Sequence, residues 1–235
     1  MCAPIEHTMH AEHPRGTSWA RAFARFVAGA GMCVAAHGAI VCEPPDTRGA
    51  QACRAALPEN MVRHMAVVQE RSNWCWAAAM QMVLGRYGLR AAQSDIVAAR
   101  FGAPANRRLQ SADIASAVER VWLDAEGERF RVQAVAQSRV PQGSLPLSAQ
   151  VVLKALAGDH PLLLAANGHV VVVVEVKFTR YRDTHFVRIT GGTVVDPRSD
   201  IGLRPLDRNE MEAEYLAWLD VAPMADAAPA VALGD

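Results

Sequence analysis

The sequence predicts an α+β fold, with helices in its first half and an antiparallel sheet in its second. Two observations predict it. Between residues 75 and 121 apolar side chains recur at three- and four-residue spacing, whereas after residue 125 they alternate or run in short β-branched blocks bounded by Gly and Pro. Helices followed by strands, rather than a regular alternation, indicate α+β over α/β. A length of 235 residues with 51% hydrophobic content suffices for one buried core with flanking segments. A cleft between the helical half and the sheet is the expected place for a site.

The chain begins with a segment that does not read as fold. Arg15, Arg21 and Arg25 precede an apolar run from Phe26 to Ala36, and small residues follow at Gly38 and Ala39. A basic flank, a short apolar run and a small-residue exit form the pattern of a secretory signal, placed here at residues 1–38. The run is shorter than the roughly 20 residues that span a bilayer, so no stable membrane insertion is expected. The other reading of this run is a buried or interfacial helix. Met9 as the start would shorten the basic region. His7, His10 and His13 lie ahead of the run without supporting ligands, and are read as leader residues rather than a metal site.

Residues 39–60 carry Pro44, Pro45, Gly49 and Pro58 without sustained periodicity, and are expected to form a linker or short pro-segment. Cysteine counting adds a compartment argument. Cys2 and Cys33 would leave with the signal. In an oxidising compartment Cys42 and Cys53 are positioned to pair, leaving Cys75 alone; in a reducing one all three stay as thiols.

The domain is placed at residues 61–222. Met65, Val67 and Val68 suggest a short strand. Ser72 or Asn73 is a candidate cap for a helix carrying Trp76, Met80, Val83 and Tyr87, ended by Gly88. A second helix spans about 94–101. A third follows Ser111, with Ile114, Val118 and Val121 on one face. Phe130, Val132 and Ala134 mark a half-buried strand. Ser148 caps a helix with Val152, Ala155 and Leu156, closed by Gly158. Strands follow at 161–166, 169–178, 185–190 and 193–196, the last stopped by Pro197. Asp207 and Glu210 have capping-box spacing and open a helix toward Trp218. The Ala/Pro-rich tail, residues 223–235, is expected to fray.

Charge excludes some functions. Lys+Arg and Asp+Glu both number 24, so nothing favours a polyanion, and nucleic acid is not an expected partner. No zinc, phosphate-loop or serine-hydrolase motif is present, and neither metal nor cofactor is implied. Trp122 and Trp218 read as core anchors.

The segment from Gln69 to Ala77 carries the chemistry. Cys75 falls in the first turn of a helix, where free backbone N–H groups and the dipole favour a thiolate. Gln69, six residues upstream, is a candidate oxyanion donor beside the Cys75 N–H. His169 opens a strand whose next residues, Val170–Val174, fill the core. It is the candidate base, ahead of His160 beside Pro161, read as solvated, and His185 on a charged edge strand with Arg182. Asp196 would orient the ring, with Asp183 and Asp200 as alternatives.

These residues resemble the papain-like cysteine peptidases. Gln69 with Cys75-Trp76-Ala77, then Asn167-Gly168-His169, then Asp196-Pro197, look like the active-site helix, the Gly-His and the third-member motif, in family order. The nearest likeness is to the compact bacterial branch, the avirulence-type and bacteriocin-leader peptidase-like enzymes, over roughly residues 60–220. Asn73-Trp74 stands where the classical enzymes have Cys-Gly-Ser, and Asp196 where they usually have Asn. The resemblance implies a catalytic triad Cys75, His169 and Asp196, an oxyanion hole with Gln69, and a substrate cleft bordered by Trp74, Trp76 and Gly168. It implies a thiol protease acting on protein or peptide substrates without a cofactor, and the signal pattern implies a secreted or periplasmic location. Deamidation or acyl transfer on a target protein would use the same triad, and a catalytically silent binding module is a third reading. Composition does not bear on oligomeric state.

Overall fold

A computed structural model describes residues 38–139, 149–181 and 186–224, without the side chains of residues 115 and 136–139. The signal-like segment with its cysteines and histidines, Ser148, Arg182, Asp183, His185 and most of the Ala/Pro-rich tail lie outside the described residues. The protein is mixed α and β. Nine strands form one antiparallel sheet, accompanied by five α-helices among the described residues.

The sheet is organised around one long strand, β6 (His169–Tyr181). Strand β7 (Val187–Asp196) runs along one edge of it. The other edge is shared in turn by β5 (Leu162–Ala166), opposite His169–Val173, and β2 (Ala50–Ala56), opposite Glu175–Tyr181. Beyond β5 come β9 (Tyr215–Pro223), β4 (Arg129–Arg139) and β3 (Val121–Leu123). Strand β1 (Ala39–Cys42) lies outside β2, and β8 (Gly202–Pro205) outside β7. Val170 to Val174 are all buried, so β6 is covered on both faces at its start. The helix α2 (Cys75–Arg86) packs on that start and on β5, and its core-facing residues Met80, Val83 and Leu84 are fully buried.

Local chemistry explains how the strands meet. Asn167 and Gly168 both have positive φ, 51° and 70°, and join β5 to β6 with Ala166 paired to His169. Asn-Gly is the pair that a two-residue type I′ hairpin demands, because its twist matches that of the strands. The turn thus fixes His169 as the first residue of β6. At Gly192 in β7 a Cβ would lie 2.4 Å from the Glu175 carbonyl oxygen, so only glycine fits beside the irregular register there.

Several expectations are corrected. Residues 39–60 are no linker: β1 and β2 form a hairpin paired along seven residues of β6, within the unit Ala36–Asp235. β1 carries Ile40 and Val41, but β2 is Ala-rich with low β-propensity, so its pairing with β6 rather than local preference makes it a strand. Cys42 and Cys53 are directly opposed and form a disulfide. Residues 65–68 are not a strand; the helix α1 (Glu59–Met65) is followed by an extended connection. The helix α3 (Gln93–Phe101) is as expected, but α4 (Ile114–Val118) is short, preceded by a 3₁₀ turn over Ser111–Asp113, and Val121 already belongs to β3. The strands expected at 185–190 and 193–196 are continuous in β7. The helix α5 (Ala149–Ala157) closes as expected at Gly158. Asp207 and Glu210 do make the reciprocal capping bonds, at 2.8 and 2.9 Å. Yet only a 3₁₀ turn, Glu210–Glu212, follows, because the chain continues as β9 between β5 and β4. Trp122 is buried, while Trp218 is half-buried against the core.

Candidate functional site

Helix α2 starts at Cys75 itself. Its cap residue is Trp74, with no side-chain cap bond, so neither Ser72 nor Asn73 caps the helix. The first-turn N–H groups are therefore left to the thiol end. The backbone N–H groups of Val170 and Trp76 favour the charged form of the Cys75 sulfur. Val170 follows His169, so the start of β6 lies directly against the start of α2.

Asp196 closes the other side. It is the last residue of β7, with its side chain fully buried, and its Oδ1 lies 2.9 Å from His169 Nε2. The ring is partly exposed, at 24%, and Nδ1 is the nitrogen that Asp196 leaves unused. The neighbouring candidate Asp200 is exposed and makes no such contact. Asp196 is held by two arginines as well as by His169. Arg198 donates from its backbone N–H to Oδ1 at 3.0 Å and from Nη2 to Oδ2 at 2.8 Å. Arg204 donates to Oδ2 from Nε and Nη2, at 3.0 and 2.9 Å, and also bonds the buried Glu210. Burial raises the Asp196 carboxyl, but the bonds from Arg198 and His169 outweigh it and hold the group well below the usual carboxylate range. The capping-box spacing at Asp207 and Glu210 was a signal of this support: Glu210 both caps the turn and braces Arg204.

The thiol has a different balance. Burial pushes Cys75 up, the N–H groups of Val170 and Trp76 and the charge of Arg108 pull it down, and Asp196 pushes it up again; the net direction is upward. The helix start alone therefore does not produce the thiolate expected from sequence. Among the described residues Cys75 is the free cysteine.

No known family model and no characterised protein matches this chain in sequence.

Gln69 lies in the loop before α2. Its backbone N–H bonds the Pro197 carbonyl at 2.7 Å, tying this loop to the turn after Asp196. Its amide nitrogen bonds the carbonyls of Arg71 and Ser72, at 3.0 and 3.2 Å, while Oε1 is buried without a partner. Donation to a third acceptor requires one of those bonds to be shared or released. Gln93, buried at the start of α3, clamps the same loop: Oε1 accepts from the Glu70 N–H, and Nε2 donates to the Val68 carbonyl. A glutamine on the inward face of a helix was the sequence signal for it.

Trp74 and Trp76 do not border a cleft. Both are 1% exposed, and their indole N–H groups bond the carbonyls of Ala105 and Arg107, at 3.0 and 3.1 Å. Trp76 also meets Phe101 of α3 edge-on, so it ties α2 to α3 and the following loop. That loop, residues 105–108, is fastened to the start of α2 a second time. Asn73 donates to Asn106 Oδ1 from its backbone N–H and to the Asn106 carbonyl from Nδ2, and Arg108 Nε donates to Asn73 Oδ1 at 3.1 Å. Gly168 stays exposed in the β5–β6 turn, with Arg108 Nη1 3.4 Å from where a Cβ would sit.

His160 is corrected too. It is not solvated: its Nδ1 lies 2.6 Å from Tyr87 Oη, and its ring lies against Trp218 with centroids 4.5 Å apart. No group of three or more potential metal ligands occurs among the described residues.

Proposed function

We propose that this protein is a papain-like cysteine peptidase, with Cys75 as nucleophile, His169 as base and acid, and Asp196 as orienting carboxylate. The observation that carries the reading is the 2.9 Å bond between His169 Nε2 and the buried Asp196, at the start of a strand that packs against the helix beginning at Cys75. A histidine so held has one fixed tautomer: Nε2 carries the proton that Asp196 accepts, and Nδ1 is free to take another.

Because burial favours the neutral thiol, the thiolate arises together with imidazolium rather than from the helix start alone. Nδ1 takes the thiol proton, and sulfur attacks the peptide carbonyl carbon. The Cys75 N–H and a freed Gln69 N–H bond the resulting oxyanion. The C–N bond breaks as His169 returns the proton to the leaving amine, leaving a thioester. Water, deprotonated by His169, attacks the thioester; the C–S bond breaks, thiol re-forms and a carboxylic acid departs. Protein or peptide is the substrate class, and no metal or nucleotide takes part in these steps.

The disulfide supports a secreted or periplasmic site of action, where such bonds persist. Among the described residues no helix is long and apolar enough to cross a membrane. Signal removal ahead of Ala39 would leave the β1–β2 hairpin whole.

The test is incubation of wild type and Cys75→Ala with a peptide library, read by mass spectrometry. Backbone cuts made by wild type alone support a peptidase. Glutamine-to-glutamate conversion without cuts would instead identify a deamidase, and no covalent change would leave a binding module.

A further inference from the structure

The loop that fastens the start of α2 also sets a cation beside the proposed nucleophile. Arg108 is anchored at one end by Nε on Asn73, two residues before Cys75. At the other end, Nη1 reaches the turn at Gly168, the residue before His169. The guanidinium therefore bridges the two walls that carry the reacting pair, and its charge is felt at Cys75. It is exposed, and among the described residues it pairs with no carboxylate.

Its surroundings leave that charge uncompensated. Arg71 and Arg107 flank the same segment, their guanidinium groups lying over Trp74 and Phe101, at 5.1 and 4.7 Å from the ring centroids. Neither is in an ion pair among the described residues. Glu70 is exposed beside Arg71 and bonds none of the three. Glu214, the carboxylate nearest the Gly168 turn in the hydrogen-bond network, already accepts from Ser111 Oγ and the Asn167 N–H. The chain as a whole is neutral, so this local excess is not a by-product of composition. An arginine held at Nε still presents the two Nη groups, which suit a carboxylate.

We propose that Arg108 is a specificity-determining residue that binds a carboxylate of the substrate beside the reacting carbonyl. This rests on the peptidase reading for its meaning, but its central test does not. Two arms distinguish the sources of the carboxylate: peptides with an internal Asp or Glu against their Asn or Gln counterparts, and peptides with a free C-terminus against C-terminal amides. The arm in which wild type favours the acid names the source, and Arg108→Gln should remove that preference.

Thiol alkylation supplies a readout independent of turnover. Iodoacetate and iodoacetamide differ chiefly by the carboxylate. The ratio of their rates on Cys75 should fall on the order of tenfold in Arg108→Gln, as expected for losing one close charge pair. It should fall in wild type as salt is raised. Arg108→Lys, which keeps the charge but not the fork, should recover part of the ratio, and Arg131→Gln, on β4, should leave it unchanged. An unchanged ratio in a folded Arg108→Gln would overturn the inference, whatever the peptides do. A changed ratio with no peptide cut would retain the carboxylate site and sink the peptidase reading.

Discussion

The molecule holds two half-buried histidines in opposite ways. His169 stands at the beginning of β6 and gives Nε2 to a fully buried carboxylate. His160 stands just before β5, bonds a phenol and lies against an indole. Burial lowers His160, with Arg86 adding to it and Asp220 and Asp159 opposing it. Tyr87, its partner, is pushed up to about 12, chiefly by burial. Tyr87 Oη also lies 3.2 Å from the Leu219 carbonyl. One hydroxyl proton serves one acceptor, so donation to Leu219 leaves Nδ1–H of His160 as the donor to Tyr87. His160 thus acts as a strut, and burial favours its neutral form. What separates the two rings here is a fully buried carboxylate, itself held by two arginines, beside His169 alone. Burial is common to both.

Removing each ring should break this contrast most sharply. His169→Ala should lower kcat/KM by on the order of 10³–10⁴, the range associated with losing an acid–base group from a coupled triad. His160→Ala should leave turnover within a few-fold of wild type, but lower stability by about 1–3 kcal/mol through the cavity and the lost Tyr87 bond. Peptide hydrolysis beside urea melts reads both. Equal losses of activity in the two variants would erase the distinction.

Asp196→Asn should come next. Turnover should fall on the order of 10²–10⁴, since the amide cannot hold the tautomer as the carboxylate does. Its stability effect should depend on pH with a definite sign. The folded carboxyl is depressed, so its contribution is present above the unfolded value near 3.9 and is lost as pH falls toward the folded one. The stability gap between wild type and Asp196→Asn should therefore narrow on acidification below about pH 4. A gap independent of pH in urea melts would mean that Asp196 is held by packing rather than by charge.

Gln69→Ala separates the oxyanion from the orienting role. A loss on the order of 10²–10³ in kcat with KM little changed would mark a donor that acts in the transition state. Rapid alkylation of Cys75 should persist. Because Gln69 also bonds Arg71 and Ser72, a fall in alkylation and turnover together would show that it only shapes the loop.

The sequence carried the parts of this arrangement that depend on local pattern. The Asn-Gly turn, the valine run after it and Pro197 after Asp196 set His169 and Asp196 at strand ends, and the spacing of Trp76, Met80 and Val83 set Cys75 at a helix start. What pairing decides was not legible. The β1–β2 hairpin has almost no alternating apolar residues and exists because β6 offers an edge. Residues 215–223 carry a capping box ahead of them, yet become a strand between two others. Trp76 lies on α2 as its spacing indicates, yet neither it nor Trp74 borders a cleft, because their partners, the carbonyls of Arg107 and Ala105, lie about thirty residues on in a segment without pattern. Arg198 and Arg204 are ordinary charges in sequence; only the turn into β8 brings both to Asp196.

The smallest effect completes the comparison of the two rings. His160 is depressed in the folded state, so it binds its proton more readily when unfolded. The stability this contributes is present above the unfolded value near 6.5 and is lost as pH falls below it. His160→Gln removes the titration while keeping a polar side chain of similar size. The difference in stability between wild type and His160→Gln should thus shrink on acidification from about pH 7 toward 5. The depressed Asp196 carboxyl should instead make its own difference narrow below about pH 4. Urea melts of the two variants at intervals of pH separate the windows. If the His160 difference were instead to widen on acidification, the ring would be gaining stability from its charge through Asp220 or Asp159, and the reading of it as a neutral strut would fall.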